Sequence, residues 1–148
     1  MVSMPKYISN CLFNFSRNIN WPEGNRSGDF VITIVGNKEV FAEMTRLTQN
    51  MKVGKQAIQI KYCNTVGEVS GYQQMVFVAA WQSSKLKQLV EKTAGMSTLV
   101  VTETEGMTSR GAMINFVAAD GVMRFELSRE NLQKSNLLAS TVLEKMAL

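Results

Sequence analysis

Polar side chains placed just beyond apolar runs are where this sequence could do chemistry. Asn37 follows the run Phe30 to Val35, Trp81 and Ser83 follow Gln74 to Ala79, and Glu103 follows Thr98 to Thr102. If those runs are parallel strands, their carboxyl ends form the crevice where open α/β sheets collect ligands. Arg110 would join from the adjoining loop. That set suits a small polar ligand. Asn and Ser are also turn and cap formers, so a purely architectural account stands beside the ligand one. A catalytic account has less to work with. The chain has no histidine, which removes the commonest general base and the commonest metal ligand. Ser83 has no base to activate it, and Ser109 has only Arg110 beside it, so a hydrolase triad is not expected. Glu103 and Glu105 lack the spacing of a paired acid and base. The segment Ile34 to Glu39 carries one glycine and neither the dinucleotide nor the phosphate-loop pattern. The expectation is no catalytic residue, no cofactor and no metal.

The second feature is a hairpin that carries ionic groups on apolar strands. It runs from Arg110-Gly111-Ala112-Met113-Ile114-Asn115-Phe116-Val117 to Arg124-Phe125-Glu126-Leu127, with Asp120-Gly121 as the turn signal between. Arg124 and Glu126 are two apart on a strand and share a side, with Phe125 on the other. Glu126 is expected to be largely buried and paired with Arg110 or Arg124; exposure at a binding surface is the alternative. Asn115 is expected to satisfy backbone groups near the hairpin.

The elements that must position these residues follow from periodicity. Tyr7, Ile8, Cys11, Leu12, Phe15 and Ile19 recur at helical spacing over residues 5 to 19, and Trp21-Pro22 stops that helix. Phe30 to Val35, Ala57 to Tyr62, Gln74 to Ala79 and Thr98 to Thr102 read as strands. Helical stripes lie between the first pair (Val40, Phe41, Met44, Leu47) and the last pair (Leu86, Leu89, Val90), the latter with Ser83-Ser84 as a candidate cap. Short helices after Ser128 and Leu138 close the chain. The alternation predicts one α/β domain over residues 5–148. It has a mainly parallel sheet, helices on both faces and the C-terminal hairpin attached. Trp21, at a proline-limited corner, is a candidate interface anchor. Met146 and the terminal apolar residues are candidates for a dimer surface.

Composition narrows the class. The chain has 148 residues, 45% of them apolar and 19% charged, as in an ordinary globular protein. Its net charge is +4 and its Lys and Arg are scattered, so nucleic acid is not an expected partner. No apolar run reaches transmembrane length, and the first residues lack the apolar stretch of a signal peptide. Direct membrane insertion is not expected, and the chain reads as cytosolic or as a mature secreted form. Cys11 and Cys63 have no metal-ligand spacing. They are either buried free thiols or, in an oxidising compartment, a bridge.

Taken together, Phe13-x-Phe15, Ile19, Trp21-Pro22, the Phe30 to Gly36 strand, the segments Arg110 to Phe116 and Arg124 to Leu127, and the ending from Leu137-Leu138-Ala139-Ser140 resemble the YfiR family. The resemblance covers nearly the whole chain, and the ordered pair of hairpin segments is its most specific part. It implies a periplasmic, non-enzymatic regulator of Gram-negative bacteria that tends to form a homodimer. Such a regulator represses a membrane-bound sensor protein, a diguanylate cyclase, and an outer-membrane lipoprotein sequesters it. Cys11 and Cys63 depart from the positions of that family's disulfides. Beside this regulatory expectation stand a periplasmic small-ligand-binding domain using the strand-end cleft and a cytosolic enzyme on the same scaffold.

Overall fold

A computed structural model describes residues 3–148. The first helix, α1 (Met4–Asn18), starts where Ser3 Oγ accepts a hydrogen bond from Lys6 N at 3.4 Å, with Pro5 in its first turn. Ile8, Leu12 and Phe15 line its buried stripe. It runs directly into β1 (Ile19–Asn20). There follow β2 (Phe30–Val35), α2 (Lys38–Thr48), β3 (Lys52–Val53), β4 (Gln56–Cys63), β5 (Met75–Val78), α3 (Leu86–Thr93) and β6 (Leu99–Thr102). The hairpin β7 (Ile114–Ala119) and β8 (Val122–Leu127), then α4 (Arg129–Lys134), β9 (Leu138–Ala139) and α5 (Thr141–Met146), complete the chain.

Seven strands form one sheet in the order β3-β4-β2-β5-β6-β7-β8. The five from β4 to β7 are parallel, and β3 and β8 add an antiparallel strand at each edge. Alternation along each buried strand sends side chains to opposite faces. Phe30, Ile32, Ile34, Phe77, Val101 and Phe116 meet α1, α2 and α5 on one face. Val35, Val76, Val78 and Val100 meet Leu86 and Leu89 of α3 on the other. Helices thus cover both faces of a mainly parallel sheet, as the pattern of runs implied.

Local chemistry explains several junctions. Asp120 and Gly121 both take positive φ, 53° and 77°, which is the requirement of a two-residue type I′ hairpin turn. Ser128 and Ser140 cap α4 and α5. Ser83 and Ser84 do not cap α3, contrary to expectation. They lie inside a 3-10 stretch, Ala80–Lys85, and Lys85 takes the cap position without a side-chain bond. Cys11 packs against the core on the α1 face and Cys63 against the core on the α3 face. The sheet separates them, and both are free thiols. No described helix is long and apolar enough to cross a membrane.

Candidate functional site

The connections leave β2 in opposite directions. β2 leads through α2 to β4 on one side, while β5 on its other side leads through α3 to β6. The crevice between the carboxyl ends of β2 and β5 is therefore the switch point where such sheets bind ligands. Here the indole of Trp81, itself 57% exposed, lies across it. Trp81, just past β5, donates from Nε1 to Gly36 O at the end of β2, at 2.8 Å. Gly36 has φ 81°, and a Cβ there would lie 2.7 Å from Trp81 Nε1. Only glycine allows both that backbone turn and that close approach of the indole.

The other expected cleft residues are similarly engaged. Asn37 Oδ1 caps α2 by accepting from Val40 N at 3.0 Å. Glu103 Oε2 accepts from Ala80 N at 2.8 Å. Burial pushes the Glu103 carboxyl above its ordinary range, and the Ala80 N–H partly opposes that. Ser83 sits within the 3-10 stretch, where its carbonyl accepts from Leu86 N. Arg110 ends another, Met107–Arg110, exposed and outside every ion pair among the described residues. Gly111, with φ 115°, lets that turn press on α3, because a Cβ there would meet Val90 at 2.9 Å. The five residues expected to converge on one cleft do not line one cavity together. Glu103 also borders a groove beside the hairpin.

At the hairpin a polar line crosses three strands. Asn115, fully buried, accepts from Thr102 Oγ1 at 2.6 Å and from Thr104 N at 3.1 Å, and donates from Nδ2 to Glu126 Oε1 at 3.0 Å. Asn115 is cross-strand partner of both Thr102 and Glu126. Glu126 is therefore half-buried and held by a neutral amide, not by Arg110 or Arg124 as expected. Arg124 lies exposed opposite Val117. Removing the Glu126 carboxylate strands no buried cation but leaves Asn115 Nδ2 without its acceptor, at a cost of about 2 kcal/mol. The two-residue turn fixes this register, so placing Asn115 opposite Glu126 was readable from Asp120-Gly121. Thr102 was the member missed. A groove of about 680 Å³ opens beside the line, lined by Glu103, Glu105, Ser109, Phe116, Glu126 and Leu148. No group of acidic and thiol side chains among the described residues is arranged to hold a metal ion.

Trp21 is a correction of a different kind. It is only 4% exposed, stacks edge-to-face on Phe30 at 4.9 Å between ring centres, and donates from Nε1 to Gln74 O at 3.2 Å. It is a core residue of the monomer and not a surface anchor. Met146 is exposed, and on α5 it shares a face with exposed Val142; Leu138, on β9 just before α5, is exposed as well.

No match is found among curated proteins. The YfiR/HmsC-like family model matches residues 6–147, from the first turns of α1 to the end of α5, and so takes in both the closed crevice and the hairpin line. The chain belongs to the YfiR/HmsC-like family.

Proposed function

We propose that this chain is a periplasmic, non-enzymatic regulator that binds and represses a membrane-bound sensor or diguanylate cyclase through protein–protein contacts. The observation that carries the reading is the family match across residues 6–147. Two features of the molecule support it. The polar side chains at the strand ends are committed to the chain's own backbone, so they are poorly placed to act on a substrate. Leu138, Val142 and Met146 expose 61%, 60% and 47% of their surface within one short stretch, an apolar patch of the kind that marks protein contacts. That patch is the surface we assign to partner binding or to self-pairing as a homodimer. Sequestration by an outer-membrane lipoprotein is the further association the family reading implies. A small-ligand domain using the strand-end crevice has less support, because Trp81 covers that crevice.

The test is to export the chain to the periplasm of a host carrying a diguanylate cyclase from its gene neighbourhood and to measure cyclic di-GMP. The level should fall several-fold. Val142→Glu with Met146→Glu should restore it while the unfolding midpoint stays put. An unchanged level with the native chain refutes the reading.

A further inference from the structure

A cleft of about 630 Å³ lies between the end of α1 and the β3–β4 hairpin. Its floor includes Trp21 and Phe30, and its rim carries Arg17, Arg26, Lys52 and Lys55. Four of the chain's sixteen cations thus surround one cleft, and no acidic residue lines it. Their charge is uncompensated, since none of the four takes part in an ion pair among the described residues. Two are already positioned. Arg26 donates from Nε to Trp21 O at 2.9 Å and from Nη2 to Asn20 Oδ1 at 2.5 Å, both neutral acceptors. Arg17 lies over the Phe13 ring at 4.4 Å. Lys52 and Lys55 flank the Gly54 turn, where φ is 59°. The cations come from separate segments, so they are scattered in sequence and gathered only by the fold.

We propose that this cleft docks an acidic segment of the partner protein, an inference that rests on the regulatory reading above. Held-apart cations repel one another, and an anionic segment relieves that repulsion. Ordering two of the arginines beforehand lowers the entropy lost on docking. The cleft is bounded by β3, a two-residue edge strand with one unpaired side. That side leaves room for an extended chain to lie along the hairpin.

The test uses a fluorescein-labelled short peptide of alternating Glu and Val, its Gln-for-Glu analogue, and inorganic pyrophosphate, read by anisotropy at low and at physiological salt. The acidic peptide should bind and weaken steeply with salt, and the Gln analogue should not bind. Lys52→Gln with Lys55→Gln, both exposed, should weaken binding about tenfold. Lys61→Gln with Lys87→Gln, the same charge change elsewhere on the surface, should leave affinity within about twofold. Equal loss from both pairs means a general charge effect and overturns the proposal. Saturable pyrophosphate binding without peptide binding makes the occupant a small anion and overturns it too. Sedimentation in which the Lys52, Lys55 pair controls self-association makes the occupant a second copy, which also overturns it. Repression of the cyclase without peptide binding removes only the docking proposal, whereas peptide binding without repression removes the regulatory reading.

Discussion

Replacing Asn115 by leucine puts the polar line across the hairpin to a quantitative test. Leucine is close to asparagine in size and suits the apolar surroundings, but it accepts no hydrogen bond. Two donors then lose their acceptor, Thr102 Oγ1 and Thr104 N. Thr102 is 1% exposed, so water cannot replace the bond. Thr104 already keeps a buried hydroxyl without a partner and has little spare capacity. Each stranded donor costs about 2 kcal/mol. Glu126 also loses its amide, but it borders an open groove and takes up water there at little cost. Burying leucine returns on the order of 1.5 kcal/mol. The net loss is about 2.5 kcal/mol, a large share of the roughly 5–15 kcal/mol that stabilises a domain of this kind.

Urea unfolding followed by circular dichroism reads this as a drop in midpoint at constant slope, with the thermal midpoint lower by about 5–10 °C. A second substitution separates hydrogen bonding from packing. Thr102→Val removes one stranded donor, so adding it to Asn115→Leu should recover about 2 kcal/mol, although Thr102→Val alone costs about 1 kcal/mol. A loss below about 0.5 kcal/mol for Asn115→Leu, or strict additivity of the pair, refutes the account.

Trp21→Ala should lower stability by about 3–5 kcal/mol, because it opens a cavity beside Phe30 and removes one of the two donors to Gln74 O, the other being Leu99 N. Sedimentation of the folded variant should show unchanged self-association. Stability should also fall as pH rises through and just above the ordinary carboxylate range. Burial raises the folded-state pKa of Glu103 above its unfolded value. Its contribution is thus complete below the unfolded pKa and lost as pH climbs through the folded one. Urea midpoints from about pH 4 to about pH 7 should show this slope, and Glu103→Gln should flatten it.

The elements with strong local signals were legible in the sequence. β2 reads as an apolar run, the β7–β8 turn as Asp120-Gly121, and the start of α4 as Ser128. Two-residue pairings were not legible. β1 and β9 meet through Ile19↔Ala139 and Asn20↔Leu138, which are too few residues to leave a period in the sequence. Side-chain direction at a corner was also hidden. Pro22 marks the end of a helix, but nothing local says that Trp21 turns inward, since that depends on Phe30 and Gln74 from elsewhere in the chain. For Glu126 the error was one of physics. Opposite charge suggested Arg110 or Arg124, whereas hairpin register placed a neutral amide opposite it. Register acts at a fixed cross-strand distance and outweighs attraction to a flexible, solvated guanidinium.

The same competition bears on what this molecule can do. Catalysis needs polar groups held ready around a space that a reacting atom can enter. At the switch point between β2 and β5 the corresponding groups are turned on the chain itself. Gly36 O binds Trp81, Ala80 N binds Glu103, and Asn37 closes the start of α2. Reopening the crevice would mean breaking the indole bond and exposing the floor beneath it. Recognition at the rim needs no such rearrangement. The apolar residues Leu138, Val142 and Met146 and the cations around the Trp21 cleft are already exposed. Both surfaces lie next to the ends of the short β1–β9 pair, because β1 leads out of α1 toward the cleft and β9 leads into α5. A partner engaging both would therefore span that pair. Weakening it with Ile19→Gly should reduce partner affinity, measured by titration calorimetry on the folded variant, through lost alignment of the two surfaces and beyond the stability it removes. Unchanged affinity would mean that the two surfaces act independently.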